Sequence, residues 1–291
     1  MALDFTVLYC SIDDFTKTLI NDQQFKISYE KSKRGGPALM SLSEIMTIVV
    51  AYHSSGFKNF KAFYLYLKSY RLRDFPKLLS YSRFVEWVPY VLIPLAEYLK
   101  GRMGKVTGIS FIDSTSIAIC KNKRISRNKT FKGLARVGKT SMGWFNGFKL
   151  HLVVNEVGEL LAFKLTSGNV NDRTPVKALC RRLKGKLYGD KGYLGQKLFE
   201  ELFDMGVHLI TNVTARMKNK FLLLQDKLLL RKRFVIETIN DQLKNIADIE
   251  HSRHRSPINF LVNLLAGLIS YTHQEKKPSI KTFNGPIPLA N

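Results

Sequence analysis

Acidic residues are scarce in this sequence. Its 291 residues contain 23 Asp and Glu against 46 Lys and Arg, a formal net charge of +23. Self-repulsion on that scale opposes compaction, and a chain that tolerates it ordinarily has a polyanionic partner. Cysteine is scarcer still. Cys10, Cys120 and Cys180 are odd in number and far apart, with no CxxC pair, which excludes a disulfide framework and a zinc ribbon and fits a reducing compartment. No apolar run is long enough to cross a bilayer: Ile258–Tyr271 is the longest and is interrupted by Asn259 and Asn263. Met1–Phe5 lacks the basic start and long apolar core of a secretory signal. The expectation is a cytoplasmic protein with no membrane partner. At 45% hydrophobic residues a sizeable core is available, and the length suits one large domain plus a smaller one.

The positive charge is uneven. Residues 1–105 carry 15 basic and 9 acidic side chains; the remainder carries 31 and 14. Lys121–Lys149 has nine basic residues and no acid, and Val213–Arg233 has seven against Asp226 alone. A charge run by itself is usually a solvated face. Two runs flanking candidate carboxylates favour nucleic acid instead.

Residues 1–104 read as helical. Ser41-Leu-Ser-Glu44 has the form of a capping box ahead of helically spaced apolar residues. Phe60–Lys68 and Ser82–Leu99 are further helices, the latter with a possible kink at Pro94, and Gly35-Gly36-Pro37 punctuates the chain. From Gly108 the texture changes. Gly108–Cys120, Phe148–Asn155 and Glu159–Leu165 predict an antiparallel meander. A helix capped by Asn171 or Asp172 and running to Leu183 follows, with Pro175 in its first turn. Then come a strand at Lys186–Asp190, a helix at Gln196–Met205, a strand at Val207–Thr211 and a helix at Phe234–Ile249. That order is one of a ribonuclease-H-like α/β fold, a mixed sheet with flanking helices. The expected division is 1–104 helical and DNA-end-binding, 105–250 catalytic, and 251–291 a C-terminal helical extension.

Three carboxylates stand out. Asp113 interrupts the apolar strand Phe111-Ile112-Asp113-Ser114-Thr115, where a buried charge is costly unless paired or bound to a cation; a sheet-end aspartate facing solvent fits equally. Asp190 ends a strand in Tyr188-Gly189-Asp190-Lys191-Gly192-Tyr193, at the strand end where α/β sheets bind ligands, though an Asp-initiated turn also suits its glycines. Glu237 is spaced by four and seven residues from Arg233 and Lys244, so on a regular helix the three share a face; a plain surface Arg–Glu pair has the same spacing. Together they make a hard-oxygen cluster suited to Mg²⁺ or Mn²⁺ rather than zinc.

At these residues the chain resembles the DDE transposases of bacterial insertion sequences, and most closely insertion-sequence family 982. The matching pieces are F-I-D-S-T around Asp113, Y-G-D-K-G-Y around Asp190, R-x₃-E-x₆-K from Arg233 to Lys244, and G-N-V-N-D at Gly168–Asp172, with successive carboxylates spaced 77 and 47 positions apart. The resemblance implies that Asp113, Asp190 and Glu237 bind two Mg²⁺ or Mn²⁺ ions and catalyse DNA cleavage and strand transfer at the element's terminal inverted repeats. Arg233 and Lys244 would hold DNA phosphates. The partners it implies are those repeats and a target duplex, bound by a homodimer associated with the nucleoid. Many relatives carry a tyrosine three residues before the arginine; Leu230 stands there, so no tyrosine role is carried over. A structure-selective nuclease and an inactive DNA-binding relic are the alternatives.

The remaining DNA-binding candidates are Lys191 beside Asp190 and Lys121, Lys123, Arg124, Arg127, Lys129 and Lys132. The last six belong to a segment, Lys121–Lys139, expected to form a mobile arm; a hairpin packed through Phe131 and Leu134 is the alternative. Asp172 is expected to cap a helix rather than join the site. His151 is expected to be a satisfied strand residue, and His251 and His254 belong to a basic turn. Gly133–Thr140 fails the spacing and context of a phosphate loop.

Overall fold

A computed structural model describes residues 4–21, 39–141, 143–212, 222–250 and 254–280. Gly35-Gly36-Pro37, the 213–221 part of the second basic run and His251 lie outside them. In the N-terminal part, α1 (Phe5–Asn21), α2 (Leu42–Tyr52), α3 (Phe60–Tyr70), α4 (Tyr81–Trp87) and α5 (Leu92–Gly101) follow one another. The Ser41–Glu44 capping box is complete: Ser41 accepts from the Glu44 amide, and Glu44 accepts in return from the Ser41 amide. The expected 82–99 helix is divided. Pro89 enters a 3₁₀ turn at Val88–Val91, because it offers no amide to continue α4, while Pro94 sits harmlessly in the first turn of α5.

The sheet contains β1 (Ile109–Cys120), β2 (Arg136–Thr140), β3 (Gly143–Asn155), β4 (Leu160–Ser167), β5 (Gly185–Gly189) and β6 (Val207–Thr211). Its order is β2-β3-β1-β5-β6, with β4 sharing the outer edge of β3. β1, β3 and β4 are the antiparallel meander, and β5 and β6 run parallel to β1. With helices on both faces this is a ribonuclease-H-like sheet. The strand β2 is not among the expected strands but agrees in part with the packed-hairpin alternative for 121–139. One glycine explains how it fits: a Cβ on Gly138 would stand 2.1 Å from the Gly168 carbonyl oxygen.

Side-chain alternation assigns the two faces. Phe111, Leu150, Leu152, Val154 and Tyr188 join the large core formed with the N-terminal helices, α8 (Leu224–Lys232), α9 (Phe234–Asp241) and α10 (Pro257–Thr272). Ile112, Val153, Leu187 and Leu209 join a smaller core with α6 (Val176–Leu179) and α7 (Gln196–Phe203). Helix α10 packs on α2 and α5, so the C-terminal helix belongs to the N-terminal helical layer.

Three local expectations are corrected. The helix predicted from 171 or 172 to 183 is a single turn, α6, with Pro175 at its N-cap position and no side-chain cap; Asp172 is engaged elsewhere. The helix predicted at 234–249 starts as α9 but passes at Gln242–Ile246 into a π-turn, and α8 precedes it. The segment 121–139 is folded rather than lacking a packed conformation. Phe131 is buried between Phe148 and Phe260, with ring centroids at 5.9 and 5.5 Å, and residues 136–139 lie in β2. A buried aromatic offsets the repulsion that the charge pattern alone emphasises, while Leu134 remains exposed.

Candidate active site

The last parallel pair between β1 and β5 is Phe111↔Tyr188, with their rings stacked at 5.4 Å. Asp113 lies two residues beyond Phe111 and Asp190 two beyond Tyr188, so the sheet register brings the two aspartates to the same end of adjacent strands. Asp113 shares the Phe111 face, and α9 packs across β1 there.

That helix delivers three side chains. Asn240 Nδ2 donates to Asp113 Oδ2 at 2.9 Å. Arg233, at the α8–α9 junction, lies 2.7 Å from Glu237 Oε1 through Nη2 and 3.9 Å from Asp113 Oδ1 through Nη1. Its guanidinium bridges the two carboxylates and is itself mostly buried. The Asp190 carboxylate is exposed and accepts from the Lys191 amide at 2.6 Å.

Asp113 is the perturbed group. Burial pushes its pKa from the usual 3.8 up to about 6; Arg233 and the Ser114 amide pull it down, and Glu237 and Asp190 push it further up. The last two effects tie all three carboxylates to one electrostatic neighbourhood. Among the described residues, no three Asp, Glu, His or Cys side chains stand close enough to hold a metal ion without moving. The donor chemistry nevertheless fits a hard cation. Asp113 is a destabilised carboxylate, and the neighbouring Asn240 Oδ1 is buried without a hydrogen-bond partner. Glu237 is engaged by Arg233 rather than turned towards Asp113 as a free donor.

Arg233 and Glu237 share a helix face as expected. Lys244 does not follow them: it lies in the π-turn, where the 3.6-residue period no longer holds, and it pairs with Glu250 at 3.1 Å. Glu250 in turn accepts from the Ala118 amide at 2.8 Å, which ties Lys244 to the far end of β1. Lys191 is exposed beside Asp190. Lys121, Lys123, Arg124, Arg127, Lys129 and Lys132 are exposed on the 121–135 segment. Asn240 was missed by the sequence reading, although its spacing of three from Glu237 was the available signal.

A second polar cluster lies on the opposite face of β1. Lys149 Nζ and Ser114 Oγ each contact Asp172 Oδ1 at 3.0 Å, so Asp172 is an ion-pair partner and not a helix cap. Buried Tyr193 faces the same group, and His151 is buried and bonded to Thr166 at 2.8 Å. Burial lowers the His151 pKa to about 4, which keeps the ring neutral. A third tie anchors β5: Asp226 on α8 accepts from Tyr188 at 2.7 Å and Lys186 at 2.8 Å.

Residues 103–257 match the family model described as "Transposase DDE domain". No curated protein matches the chain. Among solved structures, the piggyBac transposase synaptic complex with hairpin DNA is similar at 10% identity and a TM-score of 0.48, covering 84% of this chain and 69% of that one. The Mos1 strand transfer complex is similar at 12% identity and a TM-score of 0.25, covering 88% and 89%. Neither match carries the family assignment, which stands on the sequence match.

Proposed function

The chain belongs to the transposase DDE-domain family, DNA-cleaving phosphoryl-transfer enzymes that use divalent metal ions, and on that premise we propose that it cuts and joins the ends of an insertion sequence of family 982 with Asp113, Asp190 and Glu237 as metal ligands. The observation that carries the reading is Asp113. It is a carboxylate in the middle of the sheet, made costly by burial and by two acids reaching it from β5 and α9. Two Mg²⁺ or Mn²⁺ ions bound there would activate the attacking oxygen and stabilise the leaving one.

The chain's own groups supply the rest. Arg233 is placed to exchange Glu237 for a DNA phosphate, since its guanidinium donates to Glu237 through Nη2 alone and can present a forked pair of N–H groups to a phosphate. Asn240 fixes the orientation of the Asp113 carboxylate. Lys191 and the exposed cations of 121–132 would line the approach of the duplex, whereas Lys244 is held by Glu250 away from the carboxylates. Residues 1–104 recognise the terminal inverted repeats, with Arg73 and Lys77 exposed between α3 and α4. Two copies act together on paired ends and a target duplex, in the bacterial cytoplasm at the nucleoid.

The test is cleavage of labelled DNA carrying the inverted repeats that flank the gene, with Mg²⁺, by the full chain and by Asp113→Asn. Site-specific nicking by the parent and none by the variant is expected. An Asp113→Asn protein that cuts at the parental rate overturns the assignment. Cutting indifferent to the repeats favours a structure-selective nuclease.

A further inference from the structure

The β2–β3 hairpin turns one large aromatic ring to solvent. Trp144 is 62% exposed, although the next residue, Phe145, is buried on the inner side of the same hairpin. The Trp144 backbone is held on both sides. It pairs with Lys139 across the hairpin, and its carbonyl accepts from Asn122 Nδ2 at 2.8 Å. Gly138, against the Gly168 carbonyl, seats the hairpin on its inner side, and the preceding segment is pinned by Phe131. An exposed tryptophan on so fixed a backbone loses little further freedom when something covers it.

The chemistry around the ring is cationic. Lys139 Nζ stands 5.5 Å from the ring centroid, and Lys121, Lys123, Arg124, Arg127, Lys129, Lys132 and Arg136 are all exposed in the segment leading to it. The ion pairs among the described residues include none of these eight. A flat π surface within a field of unneutralised cations matches a nucleobase attached to a phosphate backbone: stacking supplies sequence-tolerant contact and the cations supply charge. A fully paired duplex hides its base faces, so the ligand must be an unstacked base.

We propose that Trp144 is a stacking platform for an unpaired or unstacked DNA base, held by the basic segment 121–139. The proposal rests on the DNA-cutting reading for the identity of the polymer, but not on the carboxylate assignment. Trp144 precedes Leu152, the cross-strand partner of Asp113, by eight residues. At about 3.4 Å per residue it therefore lies on the order of 27 Å along the strand from Asp113. That is roughly eight base-pair steps, so the platform grips DNA well away from the phosphate that is cut.

The chain has two tryptophans, so Trp87→Phe leaves Trp144 as the sole indole reporter. In that full-length background, fluorescence is titrated with a single-stranded oligonucleotide, a duplex bearing a central bulge and a fully paired duplex of equal length. Quenching by the single strand, the bulged duplex or both is expected, with little by the paired duplex; which of the first two quenches identifies the source of the base. Trp144→Ala should weaken binding of the quenching DNA roughly five- to hundred-fold, the range of one base–aromatic stack, and Trp144→Phe should recover most of it. Equal quenching by all three DNAs, no quenching by any, or an Ala variant that binds within two-fold of its parent overturns the proposal. Loss of cleavage by Asp113→Asn leaves each of these readouts intact, so failure of the platform and failure of the carboxylate assignment are separately visible.

Discussion

Replacing Asp113 with Asn should abolish cleavage and stabilise the fold, and the stabilisation should depend on pH. In the folded chain the Asp113 pKa rises from the usual 3.8 to about 6, mainly through burial. A raised carboxyl pKa means that the folded state prefers the protonated form. Stability from this group is therefore fully present below pH 3.8 and is lost as pH rises through 6. Above that the ionised carboxylate costs roughly 3 kcal/mol, at about 1.36 kcal/mol per pKa unit. Asparagine keeps the shape, keeps an oxygen to accept from Asn240 and carries no charge. Urea denaturation at pH 7.5 without divalent ions should show Asp113→Asn more stable than the parent by up to about 3 kcal/mol. Most of the gain should have vanished by pH 4. Adding Mg²⁺ at pH 7.5 should stabilise the parent and not the variant, because only the parent retains the carboxylate for the ion to relieve. A variant less stable than the parent at pH 7.5, or equally stabilised by Mg²⁺, would show that Asp113 is an ordinary paired carboxylate and refute the reasoning.

Three further outcomes are expected. Arg233→Lys should cut DNA markedly more slowly than the parent while binding duplex normally, because lysine cannot replace the forked contact that now spans Asp113 and Glu237; parental cleavage kinetics would count against a phosphate-handling role. Alanine at Arg124, Arg127, Lys129 and Lys132 together should flatten the slope of log affinity against log salt by roughly three to four units on duplex DNA; an unchanged slope would mean that these exposed cations are merely solvated. Asp226→Asn should lower stability by about 2–3 kcal/mol, since it removes the charged acceptor of both Tyr188 and Lys186 at a nearly buried position, and chemical denaturation would measure it.

What the sequence revealed was carried by short-range patterns. The capping box before α2, the alternation in β1, β3 and β4, and the placement of Asp190 one residue past β5 all follow from neighbours within a few positions. What it concealed depended on distant partners. Arg136–Thr140 is short, charged and contains a glycine, so nothing local marks it as a strand; the Gly168 backbone and β3 make it one. Phe131 carries no local sign that Phe148 and Phe260 will bury it. Lys244 fits a four-and-seven spacing on paper, but the π-turn breaks the period on which that spacing depends. Asp172 has the look of a cap because proline follows three residues later, and only the fold brings Lys149 and Ser114 to it.

The packing of α10 on α2 and α5 has a consequence for how the protein is made. A ribosome that has released residues through 250 has delivered every described strand and all three carboxylates. The apolar surfaces of α2 and α5 then still wait for α10, whose Leu264 and Leu268 are buried in the shared core, and Phe131 and Phe148 still wait for Phe260. Until α10 emerges, the nascent chain holds the sheet beside an open greasy face, an invitation to aggregate or to be held by a chaperone. A copy of the gene with a frameshift or stop codon just after Glu250 would keep the whole carboxylate trio in its reading frame and yet lose the lid of its helical layer. Such a copy should be cleared by proteolysis rather than compete with intact enzyme for DNA ends.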